Sequence, residues 1–194
     1  MFMSILTFLL EVVFGLLAST CLLRLVMQRL RVPFANPFGR FVIALSNWLV
    51  LPLRKVLPSV AGWDTASFAA AWLLVLLHQA LLLGAALVFG GTDLGGNWFL
   101  SLPIAACFGL LRMALSGLFA LLVVYAVLSW IPQASQSSDM GDVVDRLCNP
   151  LLAPLRKLIP LVGGIDLSVL VALVLVQIAQ MLVAGLQAGV MRAL

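Results

Sequence analysis

Charged side chains are scarce in this chain: 9% of its 194 residues are Asp, Glu, Lys or Arg, whereas 64% are hydrophobic. Soluble domains carry about a quarter charged residues and about half apolar ones. A chain this poor in charge has too little polar surface to cover a water-soluble fold. The composition excludes an ordinary soluble domain and indicates an integral membrane protein.

Residue types that build reactive and metal sites are also few. The chain has one histidine and three cysteines without a CxxC spacing, which argues against a zinc site or a disulfide framework. It has no paired carboxylates within a span, no Ser/His/Asp set and no phosphate-binding loop. We therefore expect no catalytic residue, no metal, no cofactor and no enzymatic activity. The basic residues form no stripe interleaved with aromatics, so nucleic acid is not an expected partner.

Long apolar runs fill most of the chain. A hydrocarbon core of about 30 Å takes roughly 20 apolar residues as a helix, because each backbone polar group must be satisfied within its own segment. Four main transmembrane helices are predicted, at residues 3–25, 65–89, 111–131 and 167–190. The segment 98–110 contains Pro103 and is too short to span alone. It either lengthens the third helix or lies in the outer interface.

The basic residues concentrate in two connections. Those between the first two helices are Arg29, Arg31, Arg40, Arg54 and Lys55, and those between the last two are Arg146, Arg156 and Lys157. The connection at residues 90–97 has no basic residue. Because positively charged loops remain in the cytoplasm, both long loops are predicted to be inside and both termini outside.

One string occurs twice. The stretch "PLRKVLPSVAGWDTA" at 52–66 returns as "PLRKLIPLVGGIDLS" at 154–168, and ten of the 18 positions from Asn47 to Asp64 match those from Asn149 to Asp166 at an offset of 102. Prolines, charges and a glycine match together, which a leucine-rich composition alone would not produce. The sequence therefore predicts two parallel helix-loop-helix repeats, 1–90 and 111–194, joined by an outer connection at 91–110.

Within each copy, two prolines bracket a short stretch that carries the basic pair. Proline suits a helix start and stops a helix further along, so we predict short amphipathic helices on the cytoplasmic membrane surface. Their cations are the candidate contacts for anionic lipid headgroups or a protein partner: Arg54, Lys55, Arg156 and Lys157. The glycine at 62 or 164 permits a reversal of the chain. Asp64 and Asp166 then either cap the next spanning helix or pair with the arginine of the other repeat.

Five polar residues fall within or beside the predicted spans. Glu11 and Arg112 are near equivalent positions of the repeat, and they either pair in the outer half of the membrane or lie separately near its surface. His78, Gln177 and Gln180 lie mid-way along their helices, which is typical of interhelical hydrogen bonds. A haem site would require a second strong axial ligand beside His78.

The repeated string resembles the YggT (YlmG) family of bacterial and plastid membrane proteins. Other similar pieces are "ANPF" at 35–38, "LSWIP" at 128–132 and "CNPLLAPLRKLIPLVGGIDLS" at 148–168, whereas the first copy departs from the pattern at Trp48, Ala61 and Trp63. The resemblance implies a small non-enzymatic integral protein of the bacterial inner membrane or the thylakoid. In a bacterial inner membrane, the termini predicted to lie outside would be periplasmic. Such proteins are associated with envelope organisation, osmotic tolerance and assembly of cytochrome complexes.

Two functions are compatible with this resemblance. The first is an adaptor or assembly factor whose partner is another membrane protein or a second copy of the chain. The alternative is a channel or carrier that contributes to potassium or osmolyte balance, with Glu11 and Arg112 in its path. Fold-level analogy alone does not choose between them.

Overall fold

The computed structural model describes residues 2–59, 62–90, 97–129, 139–158 and 166–193. The helices within these ranges are α1 (Phe2–Arg29), α2 (Pro37–Val56), α3 (Thr65–Gly90), α4 (Trp98–Ser129), α5 (Asp139–Leu158) and α6 (Leu167–Ala193). Four of them, α1, α3, α4 and α6, are long and apolar enough to cross a membrane. The predicted all-α polytopic fold with four spanning helices is confirmed.

The helices form two units of three. In the first unit α1 packs along α3 and α2 contacts both; in the second, α4 packs along α6 and α5 contacts both. Contact between α3 and α4 joins the units, and α1 touches α4 over a smaller area. We call the end of the bundle where α1 and α4 finish and α3 and α6 begin the basic end, because the repeated basic strings lie there.

The first spanning helix ends in a Schellman motif. The Val32 N–H donates to the Met27 carbonyl at 2.9 Å, and the Arg31 N–H donates to the Gln28 carbonyl at 3.2 Å. Arg31 has a φ of 54°, the left-handed conformation at which such a motif ends a helix. Met27 and Val32 are then buried together with Val42 of α2, so this turn directs the chain into α2.

The second helix starts at a well-formed cap. Asn36 Oδ1 accepts a hydrogen bond from the Gly39 N–H at 2.6 Å, and Pro37 occupies the first helical position. The residues buried along α2 recur every three or four positions: Gly39, Val42, Ser46 and Val50. This spacing places them on one face, which packs against α1 and α3.

The helices that carry the repeated basic strings are longer than predicted. α2 and α5 each run over 20 residues, and they contain Pro52 and the pair Pro150 and Pro154, respectively. An interior proline costs about 3 kcal/mol through a lost hydrogen bond and a clash. Burial of a single Val or Leu contributes about 1.5–3 kcal/mol, so the apolar faces of both helices outweigh their prolines. The short helices were predicted from the hydrogen bond that each proline removes, without the packing of these apolar faces.

The segment 98–110 lengthens the third spanning helix. α4 begins at Trp98 and runs for 32 residues, so the predicted boundary between residues 110 and 111 falls inside it. Pro103 is the sixth residue of α4, so it removes one helical hydrogen bond without ending the helix. At 1.5 Å per residue the helix is about 48 Å long, enough to tilt in the bilayer or to extend past its hydrocarbon.

Candidate functional site at the repeated basic turns

In each copy of the repeated string, the arginine bonds the aspartate ten residues further along. Arg54 Nη2 donates to Asp64 Oδ2 at 2.5 Å, and Arg156 Nε donates to Asp166 Oδ2 at 2.8 Å. The pairing across the repeats, which the sequence left open, is therefore not formed. The reason is local, because each aspartate lies only ten residues after its own arginine and the two side chains are in contact.

The reversal in the first copy passes through a glycine. Gly62 has a φ of 80°, a left-handed conformation that glycine adopts without steric cost. The equivalent Gly164 lies outside the described residues. The reversal brings Thr65 Oγ1 to the Pro58 carbonyl at 2.7 Å, which closes the turn.

Both aspartates stand directly before a spanning helix. Ser67 Oγ donates to Asp64 Oδ2 at 2.6 Å, and the Ser168 N–H donates to Asp166 Oδ1 at 3.0 Å. A carboxylate at this position faces the positive end of the helix dipole, and Asp166 also satisfies a backbone donor of the first turn. One side chain therefore stands at the start of the spanning helix and holds the arginine of the preceding helix.

The first turn buries its aspartate together with a second guanidinium, while the Arg54 side chain is 40% exposed. The Arg24 and Asp64 side chains are 8% and 1% exposed, and Arg24 Nε lies 4.0 Å from Asp64 Oδ2. Arg24 Nη1 also donates to Ser46 Oγ at 2.9 Å and to Asn47 Oδ1 at 2.8 Å, which ties α1 to α2. Arg54 Nη2 reaches Gln28 Oε1 of α1 at 3.1 Å. This turn thus fixes α1, α2 and α3 to one another.

The aspartate of the second turn is more exposed than that of the first. The Arg156 and Asp166 side chains are 36% and 17% exposed. Arg156 donates to the Tyr125 hydroxyl of α4, and its guanidinium carbon lies 5.7 Å from the centroid of the same ring. The repeat equivalent of Arg24 is Ala126, so a second guanidinium has no counterpart here. Tyr125 takes the place that polar side chains of α1 hold in the first turn.

The hydrogen bonds of each turn set the ionisation of its aspartate. Burial raises the pKa of the Asp64 carboxyl, but bonds from Ser67 and Arg54 outweigh it and hold that pKa below its ordinary 3.8. Burial likewise opposes ionisation of Asp166, and bonds from Arg156 and Ser168 lower its pKa. Burial disfavours the charged form of Arg156, but Asp166 and Tyr125 outweigh it and raise the pKa of the guanidinium. Both turns hold ion pairs at neutral pH.

Acidification should therefore weaken the fold. A carboxyl whose pKa is lowered by folding stabilises the protein above its unfolded pKa, and this contribution is lost as the pH falls through the folded value. We expect the thermal stability of the detergent-solubilised chain to fall once the pH drops below 3.8. A variant with Asp64→Ala and Asp166→Ala should lose less on the same acidification. An equal loss in both proteins would assign the effect to other carboxyls.

The lysines of the repeated string behave differently from its arginines. Lys55 and Lys157 are exposed. Within the described ranges, no carboxylate lies within salt-bridge distance of either ammonium group. The four predicted contact residues therefore divide into two arginines that hold the turns and two lysines that face outward.

The predicted Glu11–Arg112 pair is not formed. Both side chains are exposed, and Arg112 Nη1 approaches Gln187 Oε1 of α6 at 3.4 Å. The physical reason is the packing of α4, which lies along α6 and touches α1 over a small area. These two residues therefore do not meet in a common path.

The polar residues in the middle of the spans show one hydrogen bond between helices. His78 stacks on Phe14 of α1 with 5.7 Å between ring centroids, and its Nε2 is buried without a hydrogen-bond partner. Its neighbour Gln79 donates from Nε2 to the Ala105 carbonyl of α4 at 3.1 Å. Gln177 is exposed and Gln180 half-buried, and neither bonds another described residue.

In the described part of the chain, no group of three His, Cys, Asp or Glu side chains is placed to hold a metal ion.

Sequence reasoning missed Arg24, Ser46 and Tyr125 as members of the turns. The available signal for Arg24 was its position near the end of an apolar run, where a cation requires a counter-charge. The partners of all three are fixed by packing between helices, which a single helix pattern does not reveal.

The sequence profile of the CCB3/YggT family matches this chain twice, over residues 3–85 and 104–187. The chain belongs to the CCB3/YggT family. The first match lies within α1 to α3 and the second within α4 to α6, so the family unit coincides with the three-helix unit of the structure.

Relatives in the CCB3/YggT family cover nearly the whole chain. YggT of Escherichia coli (strain K12), described as uncharacterized, is 36% identical over 185 residues, which is 94% of this chain and 90% of YggT. A Vibrio alginolyticus protein, described as uncharacterized in the proC 3' region, is 33% identical over 180 residues, or 93% and 94% of the two chains. PA0392 of Pseudomonas aeruginosa, also described as uncharacterized, is 32% identical over 84% of this chain and 79% of its own length. No solved structure gives a significant match.

Proposed function

We propose that this chain is a non-enzymatic adaptor or assembly factor of the bacterial inner membrane, with both termini in the periplasm. Its repeated basic turns contact anionic lipid headgroups or a protein partner at the cytoplasmic face. The protein partner is another membrane protein or a second copy of the chain. The observation that carries the proposal is the exposed lysine at the same position of both turns, which has no carboxylate partner among the described residues.

Contacts within the fold account for the arginines of the repeated string but not for its lysines. Arg54 and Arg156 each hold the aspartate that starts a spanning helix. Lys55 and Lys157 follow them directly but bond no described carboxylate. A cation that no described carboxylate neutralises, present twice in a chain with few charges, is available to an external anion. A protein carboxylate and a lipid phosphate both fit this requirement.

The two lysines are also presented together. The units are parallel, so both turns lie at the basic end and both lysines act toward the same side of the membrane. An excess of Lys and Arg favours the cytoplasmic side for this end. Two cations on one face contribute about 1 kcal/mol each toward an anionic surface, which suits a weak contact used in assembly.

The test replaces only the outward-facing residues. A tagged chain with Lys55→Ala and Lys157→Ala is extracted from its own membrane in mild detergent or polymer discs, beside the unaltered chain. We expect the thermal stability to be unchanged and binding of the co-purifying partner to weaken about 30-fold, the factor that about 2 kcal/mol represents. Proteins recovered in fixed ratio to the chain are identified and quantified by mass spectrometry.

The matched control removes a cation from the opposite end. Arg192 lies in the last turn of α6, so Arg192→Ala changes net charge without altering a basic turn. This variant should recover the partner as the unaltered chain does. If the lysine variant recovers it equally well, the lysines do not bind it and the proposal fails.

A further inference from the structure

A groove of about 840 Å³ lies between the two units, in the half of the bundle toward the basic end. Its walls are the second half of α1, the first turns of α3 and the middle of α4. Almost all of its lining side chains are apolar, among them Leu16, Leu23, Phe68, Trp72, Leu111 and Leu118. Beyond the groove, α4 approaches α3 closely at Gly109, where an added Cβ would lie 3.0 Å from Val75 Cγ1.

The groove has the properties of a site for hydrocarbon. Apart from Phe41 of α2 and Leu147 of α5, its walls belong to three spanning helices and the residues just before α3, so its neighbours in a bilayer are lipid acyl chains. An unfilled apolar groove forfeits dispersion contacts along its whole lining. Its volume is within the range of about 300–1,000 Å³ that is typical of ligand sites. Phe68 and Leu111 are about half exposed along it, and a bound acyl chain would cover both.

Polar and aromatic residues border the groove at the basic end. Trp63 and Asp64 belong to its lining. The Arg29 guanidinium carbon lies 5.4 Å from the centroid of the Trp63 ring, and Arg54 bonds both Asp64 and Gln28, the residue before Arg29. Tryptophan and arginine at the edge of an apolar groove are typical of the level at which lipid headgroups lie.

The described side chains at this border carry more positive than negative charge. Arg24 and Arg54 both face the Asp64 carboxylate, and Arg29 lies against the neighbouring Trp63 ring, so among the described residues three guanidinium groups border the groove beside one carboxylate. Arg29 is exposed, and no described carboxylate lies within salt-bridge distance of it. Guanidinium groups bind phosphate through paired hydrogen bonds, so the excess charge complements a phosphodiester.

The second unit lacks this border. At the offset of 102, Arg24, Arg29 and Trp63 correspond to Ala126, Ile131 and Ile165. The combination of groove, tryptophan and surplus arginine therefore belongs to the first turn.

We propose that the groove binds an anionic phospholipid from the leaflet at the basic end. An acyl chain occupies the groove and the phosphate lies beside Arg29 and Arg54. This proposal goes beyond the adaptor function and is independent of it, because Lys55 and Lys157 do not take part.

The test blocks the groove without disturbing the ion pairs. Gly117 lines the groove, and an added Cβ there would have no atom within 4 Å, so Gly117→Leu places a side chain in open space. The unaltered full chain is reconstituted in discs of phosphatidylglycerol and phosphatidylcholine, extracted in mild detergent, and examined by native mass spectrometry. We expect one retained phosphatidylglycerol per chain, and loss of this lipid in Gly117→Leu. Arg29→Gln should lower the preference for phosphatidylglycerol about fivefold, the factor that one arginine gives near an anionic surface.

The matched control is Gly84→Leu, which adds the same side chain on α3 outside the groove, also with no atom within 4 Å of the added Cβ. It should retain lipid as the unaltered chain does. Retention by Gly117→Leu would overturn the groove as the site, and unchanged selectivity in Arg29→Gln would overturn the headgroup contact. Absence of retained lipid, or a second protein copy in its place, would overturn the proposal as a whole. None of these outcomes alters partner recovery by the lysine variant.

Discussion

Replacing Asp64 by alanine is expected to lower the free energy of unfolding by about 3–5 kcal/mol, the loss typical of breaking a buried ion pair by removal of one partner. Asp64 is 1% exposed and is the carboxylate beside both Arg24 and Arg54. Without it, the Arg24 charge stays buried with only the Ser46 and Asn47 oxygens as partners. The same change removes the cap of α3. Unfolding of the purified chain in detergent, by heat or by added sodium dodecyl sulfate, measures this loss.

The second turn supplies the matched variant. Asp166→Ala removes the same carboxylate from an equivalent position, but Asp166 is 17% exposed and Arg156 is 36% exposed. Water then solvates the released guanidinium, so the loss should be about 1–2 kcal/mol, most of it from the helix cap. Equal losses in the two variants would contradict the difference in burial on which the expectation rests.

A methyl group at Gly39 is expected to destabilise the fold by about 1–3 kcal/mol, the range for overpacking a well-packed position. A Cβ at this residue would lie 2.7 Å from Phe34 Cα and 2.9 Å from the Phe34 carbonyl oxygen. Both are backbone atoms, so relief requires a shift of the chain before α2. The Gly39 N–H is also the donor to Asn36 Oδ1, and the shift would loosen that cap.

Gly84→Ala provides the comparison for Gly39→Ala. Both glycines lie in helices, but an added Cβ at Gly84 would have no atom within 4 Å. Alanine is better than glycine in a helix by about 0.8–1 kcal/mol, so this variant should be neutral or more stable. Thermal unfolding of the two proteins in the same detergent distinguishes them. A similar loss in both would show that the contact with Phe34 is not the cause.

The spanning helices were predictable because the length of an apolar run is a local property of the sequence. The second span was predicted at 65–89, and α3 runs from Thr65 to Gly90. The start of α4 was ambiguous because Pro103 follows a stretch too short to span alone. Its resolution depends on packing against α3, where the Ala105 carbonyl accepts from Gln79. Contacts of this kind are tertiary and leave no periodic signal.

The residue types of the candidate site were predictable from the sequence, but the hydrogen-bond partners of those residues were not. The duplicated string identifies both arginines, both lysines and both aspartates. Which arginine each aspartate bonds depends on the path of the turn, and burial depends on neighbours outside the string. Arg24 and Tyr125 are the decisive neighbours, and they have unlike equivalents in the other repeat, Ala126 and Leu23. Repeat symmetry therefore concealed the difference between the two turns.

Each aspartate has two structural roles at once. The same carboxylate stands at the start of a spanning helix and bonds the arginine of the preceding helix, so one substitution removes both contacts. In the first unit this carboxylate is buried beside a second arginine, whereas in the second unit it is partly exposed and a tyrosine bonds its arginine. The duplicated string therefore places one shielded carboxylate and one accessible carboxylate in the same molecule.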